Sequence, residues 1–347
     1  VRDYHAGSAG LAPFFTGWPW DPEAYLRKAE EVDRRFAAGR RTLTAEAIRA
    51  SGPEAAAQLE RVLWSDGFFV TTGQQAGLFT GPLFTIYKIL GAVRLARALE
   101  PLLGRPVAPL FWIASDDHDW AEVNHTYVLD LRNELVRIEL AAPPGASPVS
   151  MGRRRLGPEV EEARARLAAL LPRTEFADDV LAPLHAAYRP GRTMAEAFGD
   201  LVAELFAPFG LLVVDAAHPV VKARAGEVLA RELAQWAEHE ALLAAQTERL
   251  VAAGYHAQVG LVPGASNVFL EDDEGRDRLV RDGDGWALRR SGRRFSEPEL
   301  RALLARDPER FSPNVLLRPV VESQLFPTVA YVAGPAELSY YAQVGCL

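Results

Sequence analysis

The stretch that decides the predicted fold is Phe68 to Lys88, FFVTTGQQAGLFTGPLFTIYK. It opens with five β-forming residues and continues into a turn that contains Gly73, Gln74 and Gln75. From Leu83 onward, apolar residues recur at helical spacing. This order predicts a strand, a glycine-rich turn and a helix. In a parallel sheet such a turn lies at the carboxyl end of a strand, where ligands bind, and the helix amino terminus there favours a phosphate or carboxylate.

The glycines of this stretch also fit an ordinary turn, since glycine commonly interrupts regular structure. The stretch matches neither G-x-G-x-x-G nor G-x-x-x-x-G-K-[ST], the two standard nucleotide fingerprints. Spacing alone therefore leaves both a ligand site and a plain turn open.

An acidic cluster follows the next predicted strand, residues 109–114, and contains Asp116, Asp117, His118 and Asp119. Three carboxylates and one imidazole directly behind an apolar strand are too polar for a core and too concentrated for an ordinary loop. We expect Gly73, Gln74, Asp117, His118 and Asp119 to line one pocket, because the carboxyl ends of parallel strands meet at one edge of a sheet.

The alternation of strands and helices predicts an α/β fold. Residues 68–72, 109–114 and 211–215 read as near-continuous apolar strands, so we expect them in one parallel sheet with helices on both faces. Residues 254–259 are predicted as a further strand. The polar, alternating region from about 126 to 190 looks like an insertion into this core.

Composition limits the classes of function. A chain of 347 residues with 49% hydrophobic and 24% charged residues is typical of a globular protein. The net charge of −8 argues against nucleic-acid binding, and no apolar run reaches the length of a membrane span. The single cysteine, Cys346, provides neither a disulfide framework nor a cysteine-based zinc site, and with no signal-peptide pattern the expected location is cytoplasmic.

Several long motifs carry a resemblance to a known family. The sequence resembles the BshC family of bacillithiol biosynthesis along the whole chain. Four stretches carry the resemblance: TTGQQAGLFTGPLFTIYK, FWIASDDHDWAEVNH, NVLLRPVVESQLFPTVAYVAGPAELSYYAQ and residues 255–267. The resemblance implies a Rossmann-like parallel sheet core, related to class I nucleotidyl transferases and interrupted by connecting-peptide insertions. It places the first part of the core with an amino-terminal helical arm at 1–125, an insertion at 126–192, and the remainder at 193–347 with a second small insertion at about 265–310.

The implied reaction joins the carboxylate of L-cysteine to the amine of glucosaminyl-malate as an amide. Because a free carboxylate does not acylate an amine, the resemblance also implies activation, with ATP or ADP and Mg²⁺ as the expected cofactors. Two alternatives stay open: a nucleotidyl transferase acting on another small acceptor, or a non-catalytic nucleotide- or sugar-binding module. The family's coiled coil that mediates dimerisation is missing from the sequence, so a homodimer is expected only with that segment.

Chemistry suggests roles for the candidate residues. His118 is the expected general base, since its ordinary pKa lies near neutrality; the alternative is a strand-end cap. Asp116, Asp117 and Asp119 would orient that imidazole, hold the substrate ammonium or bind Mg²⁺ beside a phosphate, and no residue is assigned to a resident metal. The remaining candidates contribute to binding: Gly73, Gln74 and Gln75 at an anion or sugar site, Asn124 and His125 in the same pocket, Arg318 as a clamp for the malate carboxylates, and Lys88 either near the anion or on a solvated face.

Overall fold

The structure is a computed structural model that describes residues 1–36, 44–141 and 147–347. The helices are α1 (Arg2–His5), α2 (Pro22–Arg35), α3 (Gly52–Trp64), α4 (Leu83–Leu103), α5 (Trp120–Val123), α6 (Glu159–Leu170), α7 (Ala177–Ala187), α8 (Met194–Phe206), α9 (Pro219–Ala234), α10 (Trp236–Ala252), α11 (Glu297–Arg306), α12 (Arg318–Leu325) and α13 (Pro335–Val344). The strands are β1 (Ile48–Ala50), β2 (Phe68–Gln74), β3 (Val107–Ile113), β4 (His125–Leu129), β5 (Leu135–Glu139), β6 (Leu212–Asp215), β7 (Ala265–Asp272), β8 (Gly275–Asp282), β9 (Gly285–Leu288), β10 (Arg294–Phe295), β11 (Phe311–Pro313) and β12 (Thr328–Tyr331).

The central sheet confirms the predicted α/β core. Its strand order is β1-β6-β3-β2-β12, in which β6, β3, β2 and β12 are parallel and only the edge strand β1 is antiparallel. The three predicted strands are neighbours in this sheet. Their carboxyl ends, together with that of β12, therefore lie at one edge.

Helices cover both faces of this sheet because its central strands are apolar on both sides. Trp112 and Val214 pack with α3 and α9 in one core cluster. Phe111 and Val213 alternate with them and pack with α4 and α8 in another. Successive side chains of a strand point to opposite faces, which explains why residues 107–113 read as one continuous hydrophobic run.

A second sheet lies within the segment predicted as the second insertion and reaches just beyond it. Its antiparallel order is β10-β9-β8-β7-β11. Leu270 and Leu279 of this sheet join the same buried cluster as Trp112 of the central sheet, so the two sheets share one core. The predicted insertion at 126–192 holds the β4–β5 hairpin and helices α6 and α7; its residues 142–146 lie outside the described residues.

The prediction of a strand at 254–259 is wrong, because this segment is an irregular loop. The side chain of Gln343 in α13 replaces a neighbouring strand. Its Oε1 accepts from the Val259 N–H at 3.0 Å, and its Nε2 donates to the Val259 carbonyl at 3.1 Å. These two bonds satisfy the backbone of Val259 without a sheet.

Candidate active site

A cavity of about 660 Å³ opens at the edge where the parallel strands end. One wall comes from the central sheet and its loops, and the other comes from the second sheet and from α12 and α13. Its lining includes Gly73, Gln74, Gln75, Asp116, Asp117, Glu122, Phe269, Arg276, Arg278, Asn314, Arg318, Tyr331, Glu337 and Tyr340. The position is the one at which open parallel sheets bind ligands.

Gly73 forms part of the cavity floor, where neighbouring groups leave no space for a side chain. A Cβ atom there would lie 2.8 Å from the carbonyl oxygen of Trp112, on the adjacent strand. The carbonyl of Gly73 accepts from the ammonium of Lys88. Lys88 also pairs with the carboxylate of Glu337 and is 3% exposed, so the solvated face considered for it is wrong.

The second half of the glycine-rich turn is packed into the protein rather than open to the cavity. The Tyr188 hydroxyl donates to the Gly77 carbonyl at 2.8 Å, and the N–H groups of Gly77 and Gly81 bond within the turn itself. Phe84 is the only lining residue contributed by α4 among those described. The backbone N–H groups of Gly77 and Gly81 are therefore not available to hold a phosphate in the cavity.

Two carboxylates, Asp117 and Glu122, form an acidic pole on the central-sheet wall. The side-chain amide of Gln75 donates to both of them. Asp117 also accepts from the backbone N–H of His118 at 2.7 Å. Within the described chain, neither carboxylate has a lysine or arginine nitrogen within 4 Å. The acidic pole thus keeps its negative charge available to a cation in the cavity.

Asp116 lines the same wall but is already neutralised. It pairs with the ammonium of Lys222, which is 5% exposed and also donates to the Phe311 carbonyl at 2.8 Å. This ion pair connects β3 to α9 and β11. Asp116 is consequently better suited to fixing the wall than to holding a substrate ammonium.

Arg276 and Arg278 form a basic pole on the second-sheet wall. They are two residues apart on β8, so their side chains leave the strand on the same face. The Arg276 guanidinium lies over the Phe269 ring at 3.9 Å and donates to the Ser312 hydroxyl at 2.9 Å. Arg278 donates from Nε to the Ser266 carbonyl at 2.7 Å. Both guanidinium groups are therefore held in fixed orientations at the cavity.

His118 does not line the cavity itself but contacts it through Arg276. Nη1 of Arg276 lies 3.0 Å from Nδ1 of the imidazole. Because arginine can only donate, Nδ1 must accept, and the proton of the neutral ring is on Nε2. Burial lowers the pKa of His118, and the nearby Arg276 lowers it further, against the opposing effect of Asp117 and Asp119. The imidazole is thus neutral at pH 7 and presents an Nε2–H donor.

Arg318 lines the cavity, yet its guanidinium is engaged by the protein. Nη1 donates to Glu322 at 2.8 Å, and Nη2 donates to the hydroxyl of Tyr340 at 3.0 Å and lies 3.4 Å from that of Tyr331. The Arg318 and Glu322 side chains are 13% and 4% exposed. A carboxylate clamp at Arg318 would have to displace this buried pair.

Besides His118, three predicted site residues lie outside the cavity lining. The carboxylate of Asp119 caps α5 by accepting from the Glu122 N–H at 3.3 Å. Asn124 donates to the Leu140 carbonyl at 2.9 Å. Nδ1 of His125 lies 3.1 Å from the side-chain oxygen of Asn124, and the His125 ring contacts Tyr127 at the start of the β4–β5 hairpin. These contacts order the chain after the acidic cluster.

Several cavity residues were not predicted from the sequence: Glu122, Arg276, Arg278, Tyr331 and Glu337. Arg276 and Arg278 alternate along a strand, which in a sequence is typical of a solvent-facing surface. Glu337 follows Gly334 at capping-box spacing, and its carboxylate accepts from the Gly334 N–H at 2.6 Å. Its sequence signal therefore indicated a helix start rather than a ligand site.

Within the described ranges, no group of three or more histidine, cysteine, aspartate or glutamate side chains could hold a metal ion. None of the helices found there has both the length and the apolar character needed to cross a bilayer.

A parallel sheet with a cavity at the carboxyl ends of its strands, lined in part by charged residues, defines a Rossmann-like α/β protein. The chain belongs to the BshC family: the model for the amino-terminal Rossmann-like domain of bacillithiol biosynthesis BshC matches residues 1–346. This match confirms both the family resemblance and the predicted Rossmann-like fold.

Curated relatives carry the name "Putative cysteine ligase BshC". The protein of Salinibacter ruber is 34% identical, over 99% of this chain and 63% of its own length. The proteins of Solibacter usitatus and Koribacter versatilis are 37% and 36% identical, over 92% and 98% of this chain and 58% and 63% of their own lengths. The chain thus spans about three fifths of the length of these relatives.

Proposed function

We propose that this chain carries a carbon–nitrogen ligase site that joins the carboxylate of L-cysteine to the amine of glucosaminyl-malate. The observation that carries the proposal is the cavity of a BshC-family chain with an acidic pole at Asp117 and Glu122 and a basic pole at Arg276 and Arg278. Both substrates contain an ammonium group and at least one carboxylate. A cavity with charges of both signs suits such molecules.

The amine must lose a proton before it attacks, and Asp117 is placed for this role. Its carboxylate faces the cavity and would first hold the ammonium, then accept the proton as the carbon–nitrogen bond forms and the carbon–oxygen bond of the activated cysteine breaks. The side-chain amide of Gln75 donates a hydrogen bond to the Asp117 carboxylate and keeps it oriented. General base catalysis of this kind is typically worth about 10²–10⁴-fold in rate.

His118 takes a different part in this proposal from the general base expected from the sequence. Its Nδ1 lone pair faces Arg276, and its Nε2 carries the proton. A ring in that state donates a hydrogen bond to a developing negative charge or helps to orient Arg276. It regains a free lone pair only when the contact with Arg276 opens.

Activation of the cysteine carboxylate requires a leaving group, which ATP with Mg²⁺ would supply. The two arginines of the basic pole fit a phosphate group in charge and geometry. Tyr188, packed against the glycine-rich turn, argues against a phosphate cradle at Gly77 and Gly81. A cytoplasmic location and a homodimer formed through the family's coiled coil also belong to the proposal, and both stay predictions.

The test is amide formation from L-cysteine and glucosaminyl-malate, followed by mass spectrometry with and without ATP and Mg²⁺. Release of pyrophosphate or of ADP would identify the activation route. Asp117→Asn should lower turnover at least 10²-fold. Asp119→Asn is the matched control, because it makes the same chemical change two residues away, outside the cavity lining, and the asparagine oxygen can still cap α5. The absence of amide product under every condition would overturn the proposal.

A further inference from the structure

Arg276 and Arg278 are two buried or half-buried cations that face the cavity without a salt bridge among the described residues. Among the residues described, neither guanidinium has a carboxylate oxygen within 4 Å. Three other charged lining groups, Asp116, Glu337 and Arg318, each belong to an ion pair, whereas Asp117 and Glu122 of the acidic pole do not. More distant carboxylates offset part of the cost of burying these charges: Asp116, Asp117 and Glu271 for Arg276, and Glu232 and Glu240 for Arg278. Burial nevertheless lowers the pKa of both arginines, so an anionic ligand in direct contact would relieve the remaining cost.

The donors of the two arginines remain partly free. Each nitrogen of Arg276 donates one hydrogen bond, to Ser312, His118 and the Pro313 carbonyl, so each terminal nitrogen keeps a second N–H. Arg278 uses Nε for the Ser266 carbonyl, which leaves its terminal nitrogens for a ligand. Burial lowers the pKa of both groups, yet arginine stays protonated at neutral pH.

We propose that Arg276 and Arg278 form an anion subsite that binds a carboxylate pair or a phosphate of the substrate. The two guanidinium groups project from one face of β8, and Phe269 beneath Arg276 fixes the nearer one. The side-chain amide of Asn314, which also lines the cavity, is held by Asn267 at 2.7 Å. This rigid set is suited to an anion with several oxygen acceptors.

The inference specifies a substrate class for the cavity and rests on the proposed function for the identity of the substrate. Opposite the basic pole, Asp117 and Glu122 suit an ammonium group. The cavity would therefore bind molecules that carry a cation and a multivalent anion together. The malate part of glucosaminyl-malate and the phosphates of a nucleotide are the two sources of such an anion.

The experiment measures binding of L-malate and of inorganic phosphate, separately, to the purified protein by isothermal titration calorimetry. Arg278→Gln should weaken binding of the preferred anion about 10- to 100-fold, since hydrogen bonds to charged groups are worth that much. Arg276→Lys keeps the charge but loses the planar guanidinium with its paired N–H donors, so it should also weaken binding. Arg294→Gln is the matched control, because it removes the same charge from an arginine of the same sheet that is 78% exposed.

The outcomes distinguish the two sources of the anion, and they distinguish failure of the subsite proposal from failure of the ligase proposal. Binding of malate alone indicates the dicarboxylate, and binding of phosphate alone indicates a nucleotide; either result supports the subsite when Arg278→Gln weakens it. The subsite is overturned if neither anion binds, or if Arg278→Gln binds as well as Arg294→Gln. Arginine-dependent binding without amide product would retain the subsite and reject the ligase. Product formation with unchanged KM values for both glucosaminyl-malate and ATP in Arg278→Gln would retain the ligase and reject the subsite.

Discussion

Replacing Arg318 by methionine should destabilise the protein rather than merely weaken substrate binding. The guanidinium is paired with Glu322 in the interior, where the carboxylate is 4% exposed. Without Arg318, the hydroxyl of Thr71 is the remaining donor to Glu322 among the described contacts. Removing one partner of a buried ion pair costs about 3–5 kcal/mol, because the other charge is left without compensation.

This loss corresponds to a measurable shift in melting temperature. The entropy of unfolding is roughly 2.1 cal/mol/K per residue, which over 347 residues is about 0.7 kcal/mol/K. A loss of about 3–5 kcal/mol therefore lowers Tm by about 4–7 °C. Calorimetry would measure the shift directly. Arg27→Met is the matched control, since its pair with Asp21 is 60% and 36% exposed and should contribute less than about 1 kcal/mol.

The loss should also depend on pH. Burial raises the pKa of Glu322, and Arg318 opposes this effect. In Arg318→Met the folded-state pKa rises further above the unfolded value of about 4.3. The neutral carboxyl is then preferred in the folded state, so the penalty is nearly absent below about pH 4 and grows as pH rises through the raised pKa. The variant should lose more stability at pH 8 than at pH 5, and adding Glu322→Gln should remove most of this difference.

A different result would reject this account of Arg318. If Arg318→Met melts within 1 °C of the parent at pH 8 and shows only a raised KM, the guanidinium binds substrate, as the sequence suggested. If the loss is the same at pH 5 and pH 8, the cost comes from lost packing rather than from the unpaired charge of Glu322.

Two further predictions concern the strand end and the imidazole. Gly73→Ala should cost about 1–3 kcal/mol in thermal unfolding, because its Cβ would lie 2.8 Å from the Trp112 carbonyl; Gly226→Ala, which meets nothing within 4 Å on α9, should not destabilise, and equal effects would contradict the close contact. Nitrogen-15 NMR should show the Nε2–H tautomer of His118 with a pKa below the ordinary value of about 6.5. Arg276→Met should raise that pKa, and an Nδ1–H tautomer in the parent protein would refute the contact.

The core was predictable because its signals are local. Near-continuous apolar strands, glycine-rich turns and amphipathic helices specify a parallel α/β sheet, and the order of elements limits its topology. The same logic placed Gly73, Gln74, Asp116 and Asp117 at one edge, since Gly73 and Gln74 end one buried strand and the two aspartates closely follow the next.

The rest of the site depends on contacts that sequence spacing does not encode. Arg276 reaches the cavity because the second sheet packs against the first, a contact between segments more than 150 residues apart. Arg318 was misjudged for a more local reason. Its partner Glu322 lies four residues on along a helix, a spacing that indicates an ion pair, and the burial of both side chains makes that pair costly to open.

The contact between His118 and Arg276 joins the two halves of the site. His118 belongs to the loop that supplies the acidic pole, and Arg276 belongs to the strand that supplies the basic pole. An anion at Arg276 would attract its guanidinium and weaken the bond to Nδ1, which would leave the imidazole free to accept a proton. Binding of the anionic part of a substrate would thereby raise the basicity of His118 beside Asp117. The imidazole is then a hydrogen-bond donor in the free protein, and only in the complex would its Nδ1 be able to share the proton that Asp117 accepts.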